Sequence, residues 1–168
     1  METIAVYKEE RIKVYGITKK PDLILVILSF PANQIERWGQ RIDNLAHHTG
    51  PFELVTYHAA DKSMTGLHLL VDQKTIDPLI EMLTKWTKNT ARSGFKLKQP
   101  VDILYLHGPH FQDRFGIADT AFNALLQNNI EILVFDCAGT SMYVVTPAIQ
   151  GQITLEILTE TFLIPTPD

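Results

Sequence analysis

The sequence predicts an α+β protein built from two ferredoxin-like units in tandem. Three observations carry that reading. The pattern strand–helix–strand–strand–helix occurs twice. Matching elements of the two series lie 75 to 82 positions apart. The chain also has surplus strand-forming sequence at its start and too little at its end.

The first series opens with LILVILSF (23–30), a short apolar run bracketed by Pro21 and Pro31. It is too short for a buried helix and suits a strand covered on both faces. Ile35, Trp38, Ile42 and Leu45 recur at helical spacing, and Gly50-Pro51 stops that helix. FELVTYH (52–58) and GLHLLV (66–71) read as strands joined by a polar loop. Ile76, Leu79, Ile80, Leu83 and Trp86 mark one face of a second helix.

The second series repeats the order. VDILYLH (101–107) is a strand, and Ile117, Ala118, Ala121, Phe122, Leu125 and Leu126 form a helical face. IEILVFD (130–136) and MYVVT (142–146) are strands, and Ile153, Ile157, Leu158 and Phe162 mark the last helix. The pairs Ile24/Ile103, Ile35/Ile117, Phe52/Ile130, Leu67/Met142 and Ile76/Ile153 carry the near-constant offset. A duplicated unit explains it.

Each unit suits an antiparallel sheet with two helices on one face, which needs a further edge strand. FKLK (95–98) can supply it for the first unit. The second is followed only by LIPTPD, a poor strand because of its prolines. One of the segments TIAVY (3–7) and RIKVYGIT (11–18) is therefore expected to complete the second sheet and interlock the units. The expected boundaries are 14–98 and 99–168, with residues 1–18 joining the second unit.

Composition narrows the class. With 45% hydrophobic and 20% charged residues, the chain folds. A net charge of −4 gives no bulk attraction for nucleic acid. The strands also carry few of the aromatic and basic residues that a single-stranded RNA binder displays. The single cysteine, Cys137, cannot form an internal disulfide, and the charged N-terminus has no apolar signal core. No apolar run approaches the length of a membrane span. The expectation is a cytoplasmic protein without nucleic acid or membrane as partner. A linker run of Lys85, Lys88, Arg92, Lys96 and Lys98 without an acid is a solvated connector or a contact for an acidic partner.

Chemistry-bearing motifs are sparse. His107-x-x-His110 could offer two imidazoles to a metal, but only Asp113 stands near as a third ligand. No metal site is expected. His47, His48, His58 and His68 lack ligand spacing. Cys137 at a strand end reads as an unactivated thiol, and no nucleophile elbow or Walker loop is present. No catalytic residue is expected.

The stretch HGPHFQDRFGIADTAF (107–122) is more informative. Gly108 lets the chain leave its strand, and Gly116 precedes the helical stripe. A helix N-terminus presents unpaired N–H groups and about half a positive charge, a receptor for a carboxylate. Gln112 and Asp113 could meet an ammonium. The stretch reads either as a cradle for a small zwitterion such as an amino acid or as an ordinary loop whose glycines only turn the chain.

In order and spacing, these motifs resemble a pair of ACT domains, and more closely the regulatory part of aspartate kinases. VYGITKKPDLILVILSFP (14–31), with Gly16-Ile17-Thr18, is similar to the family's first strand with its G-I-A turn. Gly108, Gly116-Ile117-Ala118, Asn129-Ile130 and Leu158-x-x-x-Phe162 match the second unit. The resemblance implies two ACT units. It also implies a noncatalytic regulatory module that binds an amino-acid effector, forms a homodimer and signals to an enzyme partner. The ligand-binding candidates are Asn33, Gln34, Gln112, Asp113, Gly116, Ile117 and Ala118. Two departures bear on this. Pro31-Ala32-Asn33-Gln34-Ile35 replaces the family's P-G-V-A, and Asp136-Cys137-Ala138-Gly139 replaces its S-T-S-E run. The alternative is an interaction and dimerisation module that binds no ligand.

Overall fold

The computed structural model describes residues 11–59, 63–88, 90–108 and 116–164. The elements run β1 (Gly16–Pro31), a 3-10 turn (Ala32–Gln34), α1 (Ile35–Thr49), β2 (Leu54–Ala59), β3 (Met64–Asp72) and a 3-10 turn (Gln73–Thr75). They continue with α2 (Ile76–Lys88), β4 (Gly94–His107), α3 (Ile117–Gln127), β5 (Val134–Ala138), β6 (Ser141–Pro147) and α4 (Ala148–Thr161). The expected strand at 3–7 lies outside the described residues.

The chain divides into two compact units. The N-terminal unit holds Lys20–Ile103 and Pro147–Ile149; the C-terminal unit holds the chain up to Lys19, Leu104–Thr146 and the chain from Gln150 onward. The strand order in the N-terminal unit is β2-β3-β1-β4, with β1 and β2 both antiparallel to β3. This is the ferredoxin-like order. The C-terminal unit has the same order, β5-β6-β4-β1, using the opening of β1 as its fourth strand. The Tyr15 N–H donates to the His107 carbonyl (2.6 Å), tying the start of β1 to the end of β4. The chain of β1 and of β4 is divided between the units, with 16–19 and 104–107 counted in the C-terminal one.

β1 is longer than the sequence pattern suggests, because it runs through Pro21. Proline lacks the N–H of a ladder and is tolerated at bulges. Here Asp22 takes φ 60°, a local left-handed bend that lets the strand resume at Leu23. Leu23, Ile24, Leu25 and Val26 are all fully buried, so the strand is covered on both faces, as its unbroken apolar run requires. Likewise FKLK and VDILYLH form one strand, β4.

One face of the N-terminal sheet packs Ile24, Val26, Leu28 and Phe30 with Leu67, Leu69 and Val71 against Trp38 and Leu45 of α1 and Leu79 and Leu83 of α2. Each such burial stabilises by roughly 1.5–3 kcal/mol. Ile35 and Ile80, expected on the buried stripes, sit at their rims, 51% and 38% exposed. In the C-terminal unit Leu104, Leu106, Met142 and Val144 pack against Ile117, Ala121 and Leu125 of α3 and Ile157, Leu158 and Phe162.

Some strands start later than the sequence pattern suggests, β5 most instructively. β5 starts at Val134, not Ile130. α3 ends in a Schellman turn: Asn129 takes φ 56°, its N–H bonds to Leu126 O (3.0 Å), and the Ile130 N–H bonds to Leu125 O (3.0 Å). Ile130 is thereby held in the core beside Leu125 as the hydrophobic partner of that turn. Leu163 forms an isolated parallel bridge with Lys13 and belongs to no strand, and the rest of LIPTPD beyond Ile164 lies outside the described residues.

Candidate functional site

In the N-terminal unit, Pro31 ends β1 and turns the chain into the 3-10 turn that leads α1. The Ala32 N–H donates to the Ser63 carbonyl (2.9 Å), pinning this turn to the chain just before β3. Across from it, Arg92 takes a left-handed φ of 59° and donates from Nη2 to Ser63 Oγ (3.4 Å). Between these segments lies a cleft of about 420 Å³, lined by Pro31, Ala32, Asn33, Gln34, Ser63, Ala91 and Arg92.

The donors and acceptors of this cleft differ in kind. Arg92 offers a fixed positive charge and a planar fork of N–H donors. The 3-10 turn leads directly into α1, whose N-terminus adds partial positive charge. Gln34 Oε1 is buried and has no hydrogen-bond partner among the described residues. A buried acceptor left unpaired costs about 1–3 kcal/mol. Turned toward the cleft, this amide oxygen could accept from a ligand ammonium while a carboxylate meets Arg92. Asn33, exposed at the rim, adds an amide of either polarity.

Sequence reasoning found Asn33 and Gln34 here and missed Ser63 and Arg92. Arg92 lay in the basic linker run, the one signal that could have singled it out.

In the C-terminal unit, Gly116 is the N-cap of α3, with φ 89°. Its carbonyl accepts from both the N–H (2.9 Å) and the hydroxyl (2.8 Å) of Thr120. Ile117 is buried in the core, so its side chain serves packing, while Ala118 is half-buried. Gln112, Asp113 and His110 lie outside the described residues.

The remaining chemistry-bearing residues have structural partners. His107 Nδ1 bonds Ser141 Oγ (2.7 Å), and Gly108 N–H donates to Thr140 O (3.1 Å), so both fasten β4 to the β5–β6 hairpin. His47 lies 3.7 Å from Asp43, and His48 Nδ1 lies 2.8 Å from Asn44 O. Cys137 is exposed, but desolvation and the Asp136 carboxylate push its thiol pKa up. No group of three His, Cys, Asp or Glu that could hold a metal occurs among the described residues. None of the described helices is long and apolar enough to cross a membrane.

No family model and no curated protein matches the sequence. Solved structures do. The regulatory subunit of aspartate kinase from Thermus thermophilus, in its ligand-free form, superposes with a TM-score of 0.77 at 14% identity, over 89% of this chain and 99% of that one. The regulatory subunit from Thermus flavus gives 0.79 at 14% identity, over 90% and 99%. Aspartate kinase from Synechocystis gives 0.80 at 15% identity, over 94% of this chain and 29% of that one. The chain thus has the fold of the aspartate kinase regulatory subunits and matches them along nearly their whole length.

Proposed function

We propose that the chain is a noncatalytic regulatory module. It takes up an amino acid, or a similar small zwitterion, in the cleft at the start of α1 and passes that state to an enzyme partner of amino-acid biosynthesis. The observation that carries this is the pairing, in one cleft, of the Arg92 guanidinium with Gln34, whose Oε1 is buried and unpartnered among the described residues. One group suits a carboxylate and the other an ammonium. The start of α3 at Gly116, Ile117 and Ala118 is the corresponding position in the C-terminal unit, and Gln112 and Asp113, just before it in the sequence, are the further contacts we propose there.

The fold shared with aspartate kinase regulatory subunits supports the regulatory part of this reading. Calorimetry across the common amino acids tests it. One or a few should bind, and Arg92→Gln should weaken that binding about tenfold or more, the loss expected for a charge-assisted bond. Absence of binding by every amino acid, with no change in oligomeric state, would refute it.

A second reading is a ligand-independent interaction module. Apolar side chains left outward on helices favour it: Ile149 is 93% exposed, Ile153 46% and Leu126 49%. Such residues suit a homodimer under either reading. The two separate if a captured partner binds with an affinity that no metabolite changes.

A further inference from the structure

A second cleft lies on the N-terminal unit, along the outer face of α1. It has a volume of about 390 Å³ and is lined by Arg37, Gln40, Arg41, Asn44 and Trp86. Arg37, Arg41 and Asn44 recur at one-turn spacing, so they share one side of the helix. Glu36 and Asp43 are not among the residues lining the cleft, and Asp43 lies 3.7 Å from His47 Nε2. The cleft therefore holds two guanidiniums and two amides, and no carboxylate lines it.

Arg41 is held in place. Its Cζ lies 4.7 Å from the centroid of the Trp38 ring and 5.8 Å from that of Trp86. Both its Nη atoms lie 3.3 Å from Thr90 Oγ1. That hydroxyl donates in turn to the Trp86 carbonyl (2.7 Å). Burial, and secondarily the Arg37 charge, push the Arg41 pKa below its ordinary value. Two like charges one turn apart oppose each other, and nothing described within the protein neutralises them.

We propose that this cleft is an oxyanion site that takes the phosphoryl group of a small phosphomonoester. Arg37 binds it as a planar fork, Arg41 through the N–H groups that do not face Thr90, Gln40 and Asn44 donate to the remaining oxygen, and the Trp86 ring walls the organic group. The choice of phosphoryl follows from charge. A monocarboxylate relieves one guanidinium, whereas a phosphomonoester carries roughly −1.5 to −2 near neutral pH and relieves both. Planar guanidinium forks match its oxygens.

The only two tryptophans are Trp38 and Trp86, and both border Arg41. Tryptophan emission of the whole chain is therefore the readout. It would be followed during titration with inorganic phosphate, phenyl phosphate and succinate, at an ionic strength held constant with chloride. Both phosphates should give a saturable change, phenyl phosphate at the lower concentration. Arg37→Gln, on an exposed residue, should raise the midpoint about tenfold or more, and Arg37→Lys should fall between. Lys74→Gln, which removes a charge elsewhere in the same unit, should leave it unchanged. The proposal is overturned by an absent or unsaturable response, by an equal response to succinate, or by an unchanged midpoint in Arg37→Gln with folding intact by circular dichroism.

Discussion

The imidazole rings of His58 on β2 and His68 on β3 lie against each other, tilted by 38° with their centroids 4.7 Å apart. The register explains the meeting. His58 stands opposite Gly66 and His68 opposite Thr56, so the two histidines are diagonal neighbours on one face of the antiparallel pair. Gly66 has no side chain, and the His58 ring occupies the space a β-carbon would need.

This pair makes stability depend on pH in a definite direction. Burial first, and the His58 charge second, lower the His68 pKa from the ordinary histidine value. Near pH 6.5 and just below, the unfolded chain then binds more protons than the folded one, so stability falls as the pH drops. The loss from this group stops growing once the pH is below the folded-state pKa. His58→Gln should remove the secondary cause and reduce the loss without abolishing it. Proton NMR titration of the histidines, with urea unfolding at pH 7.5 and 5.5, checks this; a His68 midpoint at or above 6.5 would sink it.

Two glycines predict opposite outcomes for the same substitution. Gly39 sits inside α1 with open space where a β-carbon would go, so Gly39→Ala should stabilise by about 0.5–1 kcal/mol. Gly116 has equally open space but φ 89°. Gly116→Ala should therefore cost about 1–2 kcal/mol through the backbone alone. Paired urea melts read both signs. Equal effects would mean that the left-handed cap of α3 is not maintained in solution.

What was legible in the sequence follows the range of the interactions. The helix stripes are local, and Trp38, Leu45, Leu79 and Leu83 are buried where their spacing puts them. Pro21 misled because its missing N–H usually ends a strand, whereas the bend at Asp22 carries β1 past it. Ile130 misled because an apolar residue after a helix reads as strand, although here it closes the Schellman turn. Asn33 and Gln34 were legible beside Pro31. Ser63 and Arg92 were not, because the cleft joins segments distant along the chain and no periodicity records that. The Arg41 stack on two tryptophans was hidden for the same reason.

Cys137 should react slowly for an exposed thiol. Desolvation and the neighbouring Asp136 both disfavour its thiolate, the reactive form. Its alkylation rate should rise at higher pH than that of free cysteine, and Asp136→Asn should move the profile partway back. The Asp136 carboxylate also accepts the Cys137 N–H (2.8 Å), so circular dichroism should confirm that the β5–β6 hairpin survives. A profile matching free cysteine would contradict the account.

Trp38 anchors the core of the N-terminal unit and gives the sharpest test of how that core is packed. It is fully buried, stacks on Phe30 at 5.0 Å and meets Trp86 edge-on at 6.4 Å. Trp38→Ala should cost about 3–5 kcal/mol, the range for emptying a large aromatic site. Its Nε1 is buried without a hydrogen-bond partner among the described residues. Trp38→Phe deletes that unpaired donor along with some volume, and leaving such a group unsatisfied costs about 1–3 kcal/mol. The two terms oppose each other, so Trp38→Phe should cost about 1–2 kcal/mol, far less than alanine. Urea unfolding with an unchanged slope measures both. A phenylalanine variant as damaging as alanine would mean that the indole N–H is bonded in solution after all, and that the polar side of this core needs a different account.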